Sequence, residues 1–104
     1  MMKEGSAQKT AGNLEGAYET FSEATRIDPA NADAAKQRDA VRRDLIARYD
    51  REAVTAFQRQ NLDLAIRKWD QVLHLDPANQ KAKLERDRAV DLKARLDKFG
   101  TSEK

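Results

Sequence analysis

Apolar side chains recur along this chain three and four residues apart, the spacing that lines one face of an α-helix. Leu14, Ala17, Tyr18, Phe21 and Ala24 make one such stripe; Leu62, Ala65, Ile66, Trp69, Val72 and Leu73 make another. Asn13 and Asn61 stand directly before the two stripes, where a short side-chain acceptor satisfies an orphan amide of the first turn, so both predict N-caps. Asp28-Pro29 and Asp76-Pro77 are expected to close these helices and open the next ones. Proline lacks the donor that a helix interior needs but is tolerated in a first turn, where that donor would be unpaired. Between Pro29 and Gln60 nothing breaks a helix, and Ala34, Val41, Leu45, Tyr49, Ala53 and Ala56 recur on one broad face. This predicts a long helix of roughly 30 residues, about 45 Å. After Pro77 the residues Ala82, Ala89, Leu92, Leu96 and Phe99 predict a last helix that stops at Gly100, with 101–104 as a tail. A short first helix over 1–11, ended by Gly12-Asn13, completes five helices and an all-α fold class.

The stripes belong to an internal repeat. Asp28-Pro29-Ala30-Asn31 returns intact as Asp76-Pro77-Ala78-Asn79, a shift of 48 residues. At the same shift Asn13 and Leu14 fall on Asn61 and Leu62, Ala17 on Ala65, Phe21 on Trp69, and Ile27 on Leu75. The chain is read as a duplication.

These residues resemble the tetratricopeptide repeat. That helix pair carries a small residue in its first helix, a Gly-Asn or Gly-Asp turn, an Ala and a large aromatic in its second helix, and a closing Pro. Gly5, Gly12, Asn13, Ala17, Phe21, Ala24 and Pro29 fill these roles in copy one; Ala53, Asn61, Leu62, Ala65, Trp69, Val72 and Pro77 fill them in copy two, with Gln60 where the turn glycine normally stands. The period of 48 residues exceeds the usual 34 or so by 14, close to four helical turns, so the extra length fits one helix fused between the copies. The resemblance implies antiparallel helix pairs in a short right-handed α-solenoid, one domain over 1–104. Copy one takes about 1–29, the long helix about 30–60, the rest of copy two about 61–77, and a capping helix about 78–99. It also implies a non-enzymatic scaffold that holds another protein or peptide in a groove lined by the first helix of each pair. The matching outward positions are Ala47, Asp50, Val54, Phe57 and Gln58, with Tyr49 beside them. The Lys and Asn set by which some members hold a terminal carboxylate is absent from these positions.

Composition narrows the alternatives. The chain has 20 Lys and Arg against 18 Asp and Glu, interleaved rather than in blocks, so a net charge of +2 steers little. There is no Cys, which removes disulfides, thiolate metal sites and Cys nucleophiles and leaves the redox compartment open. No run approaches the roughly 18 apolar residues of a membrane span. His74, the one histidine, sits in a last helical turn with no second ligand near it in sequence, so no metal is expected. No nucleophile elbow, phosphate-cradling glycine loop or dinucleotide fingerprint occurs, so neither catalysis nor a cofactor is expected. Arg38, Arg42, Arg43 and Arg48 could touch phosphates, but Asp39, Asp44 and Asp50 interleave with them, the pattern of a solvated helix face. A nucleic-acid binder and a self-assembling structural subunit remain the rival readings. Apolar residues on the last helix add the expectation of a homodimer.

Overall fold

The computed structural model describes residues 2–103 and is all-helical over them: α1 (Met2–Thr10), α2 (Leu14–Ile27), α3 (Ala32–Gln58), α4 (Leu62–Leu75) and α5 (Gln80–Glu103). The chain divides into two compact units, residues 1–45 and 46–104. Helix α3 contributes its first part to one unit and its second part to the other.

In the first unit α1 packs on α2. The ring of Phe21 lies over Gly5: a Cβ built on Gly5 would come within 2.7 Å of the Phe21 Cζ atom. Ala17 and Phe21 on α2 are fully buried, as are Ala34 and Val41 on the first part of α3. In the second unit α4 packs on α5, and Ala53, Ala65, Trp69, Val72, Ala82 and Ala89 are buried. No charged or polar side chain is buried among the described residues. The core therefore rests on apolar area and close packing.

The 48-residue shift holds in the backbone. Both α2 and α4 begin after an asparagine whose side-chain oxygen accepts an amide, from Gly16 to Asn13 at 3.1 Å and from Leu64 to Asn61 at 3.4 Å. Gly12 and Gln60 both take a positive φ, +84° and +62°. The amide after each bonds back to a carbonyl five residues earlier, Asn13 to Gln8 and Asn61 to Ala56, both at 2.8 Å. This closes α1 and α3 with left-handed turns that free their last carbonyls from solvent. Asp28 and Asp76 end α2 and α4 with amide bonds to Ala24 and Val72.

Three boundaries differ from the sequence expectation. Helices α3 and α5 start at Ala32 and Gln80, a little later than 30 and 78, and neither proline lies in the first helical turn. The reason is capping: the Asn31 side chain accepts the Ala34 amide and the Asn79 side chain the Ala82 amide, each at 3.0 Å, so the asparagines set the start. The prolines sit in the turns before them. At the other end the backbone remains helical through Gly100 to Glu103, so the expected stop is not used. Glycine is costly in a helix interior by about 1 kcal/mol but does not by itself end one. Met1 and Lys104, assigned to the first helix and the tail, lie outside the described residues.

Candidate interaction surfaces

The residues that the resemblance marks for partner binding lie on the second part of α3, and α4 and α5 engage most of them. Tyr49 is only 7% exposed, and the Lys68 Nζ stands 5.4 Å from its ring centroid. Asp50 accepts from the Trp69 indole N–H at 3.3 Å and pairs with Lys81 Nζ at 3.3 Å. This satisfies the one polar atom of a tryptophan whose body is buried. Phe57 turns its ring onto Trp69, with centroids 6.0 Å apart and planes tilted by 58°, so it is part of the packing against α4. Only Val54, 37% exposed, and Gln58 face outward, on the same stripe as the exposed Ala47.

A second surface, which the sequence reading did not single out, opens where α3 meets the start of α4. A shallow groove of about 600 Å³ has Arg51, Glu52, Ala56, Arg59, Leu64 and Lys68 among its lining residues. Ala56 and Leu64 give it an apolar floor, and the cations stand on its rim. Lys68 is paired with Glu52 at 3.5 Å. The guanidinium groups of Arg51, Arg59 and the neighbouring Arg67 have no hydrogen-bond or ion-pair partner among the described residues. Asp70, next along α4, is held by Arg86 of α5. The groove edge is therefore left with uncompensated positive charge.

At the corresponding positions of the first unit the side chains differ. Shifting back by 48 residues places Gln8 at Ala56, Gly16 at Leu64, Thr20 at Lys68 and Ala11 at Arg59. Gln8 occupies the space: the Thr20 hydroxyl donates to its Oε1 at 2.7 Å, and a Cβ on Gly16 would meet its Nε2 at 2.7 Å. The two surfaces thus differ because a long polar side chain in one copy is replaced by alanine in the other. A comparison of the copies for differences, rather than for matches, carries this signal in the sequence.

The arginines considered for phosphate contact are divided between the units, with Arg38, Arg42 and Arg43 in the first and Arg48 in the second. Arg38 pairs with Asp39 at 3.1 Å, and both line a cavity of about 420 Å³ with Tyr18, Ser22 and Arg42. His74 is exposed in the last turn of α4. Among the described residues no group of three or more His, Cys, Asp or Glu is placed to hold a metal ion, and no helix is long and apolar enough to cross a membrane. Comparison with family models, with curated proteins and with solved structures gives no match.

Proposed function

We propose that the chain is a non-enzymatic interaction module built from two tetratricopeptide-like helix pairs of the α-solenoid type, and that it holds a partner protein or peptide. The observation that carries this reading is the repetition, 48 residues apart, of the packing elements of such a pair: Gly5 under Phe21, buried Ala53 and Trp69, and the turns at Gly12 and Gln60. Small residues facing large aromatics let two helices approach closely, and their outer faces are then left for a ligand. The outward stripe of Ala47, Val54 and Gln58 is the partner surface under this reading. Tyr49, Asp50 and Phe57 act beneath it by fixing α3 against α4 and α5. A peptide library displayed on phage tests the proposal. Enriched peptides bind the chain with Kd of order micromolar, and Val54→Asp weakens them about tenfold while leaving the helical circular dichroism unchanged. No enrichment over background, or affinities indifferent to Val54→Asp, would sink the reading.

A further inference from the structure

We infer that the groove between α3 and α4 of the second unit docks a short extended acidic segment of a partner protein, a site distinct from the Val54 stripe. Its shape carries the first part of the argument. A volume of about 600 Å³ suits a few residues of extended chain. Arg59, in the turn that follows α3, comes eight residues after Arg51, about 12 Å on at the helical rise. An extended chain covers that distance in roughly four residues, at about 3.3–3.6 Å each. The matching ligand has carboxylates at both ends of such a stretch and a small apolar side chain between them, resting on Ala56 and Leu64.

Charge carries the second part. The three guanidinium groups of Arg51, Arg59 and Arg67 are unpartnered among the described residues, while the nearby carboxylates Glu52 and Asp70 are taken by Lys68 and Arg86. Guanidinium forks match carboxylates in a bidentate manner. A nucleic acid is disfavoured. The floor is apolar, no aromatic side chain lines the groove for base stacking, and Glu52 interrupts the cationic rim. The comparison between copies is the third part. In the first unit Gln8 and Thr20 fill the same place with a hydrogen bond between them, where the second unit has Ala56 and Lys68.

Fluorescence anisotropy on the full chain tests this, with three labelled probes. One is a peptide carrying Asp or Glu residues about four apart around leucine and alanine, one its Asn/Gln counterpart, and one a short oligothymidylate. The acidic peptide is expected to bind, more weakly as salt rises, and the amide peptide not to bind. Arg51→Glu with Arg59→Glu changes only exposed, unpartnered side chains and is expected to weaken binding at least about tenfold. Ala56→Gln, which puts the first unit's residue into the groove, is expected to do the same with every charge in place. A peptide selected on the Val54 stripe keeps its affinity in Ala56→Gln, so the two surfaces are told apart. No binding of the acidic peptide at about 100 μM protein overturns the proposal, as does binding that survives the double charge reversal. Oligothymidylate bound as tightly as the acidic peptide overturns it in favour of a phosphate-binding patch.

Discussion

Gly5 and Gln60 show how single positions are constrained by the repeat. Phe21 is fully buried, so its ring has nowhere to move when a methyl group is added at Gly5. Gly5→Ala is expected to lower stability by about 1–3 kcal/mol in urea unfolding, although the same change raises helix propensity. Gln60 is the opposite case, because it holds a φ of +62° that L-residues adopt at a cost. Gln60→Gly removes that cost, and its exposed side chain contributes no packing, so a gain of about 0.5–1 kcal/mol is expected in the same assay. A third residue reports on pH. The Arg26 guanidinium donates to Glu23 and holds its carboxyl below the ordinary range. A folded pKa that is depressed contributes stability above the unfolded pKa, and the contribution is lost as pH falls through the folded value. An NMR titration is expected to place the Glu23 midpoint below 4.5 and to return it there in Arg26→Ala.

Capping governs the elements, and it also decides how much of the fold the sequence disclosed. Asn13 and Asn61 marked the starts of α2 and α4 because each stands directly before an apolar stripe. The same rule applied to Asn31 and Asn79 locates α3 and α5, where the prolines drew attention two or three residues too early. Asn79→Ala is expected to cost about 1 kcal/mol, and Asn79→Asp close to nothing, when thermal unfolding is compared. The faces of α3 were less legible than its ends. Its apolar stripe is broad, so periodicity alone left open whether Phe57 points to solvent or to α4, and the ring contact with Trp69 decides it. Side-chain pairs were similarly underdetermined. Asp91 and Arg95 meet at 2.7 Å as their four-residue spacing suggests. Lys81 has Glu85 at the same four-residue spacing, but it reaches Asp50 on α3, and Glu85 pairs with Arg88. Spacing offers a helix several partners, and packing selects among them.

For the whole molecule, the apolar stripe of the last helix leaves Leu96 49% and Phe99 63% exposed, beyond the buried Ala82 and Ala89. Each such side chain, fully covered, contributes roughly 1.5–3 kcal/mol. A second copy of the chain is the expected cover. Sedimentation equilibrium near 100 μM should give a mass above the chain's 11.8 kDa, and Leu96→Asp should restore that value. A monomer at that concentration ends the idea. The capping arrangement also bears on how the protein ages in storage. All four asparagines of the sequence cap helices, so spontaneous loss of ammonia has no other asparagine to act on. Conversion of a capping amide to aspartate keeps the oxygen acceptor and places a negative charge where the helix dipole favours it. Four such events would carry the net charge from +2 to −2. An old preparation would therefore shift steadily in isoelectric focusing; molecules that carry aspartate at a cap would keep their melting temperature, and those that carry isoaspartate, which lengthens the backbone there, would register as lost stability.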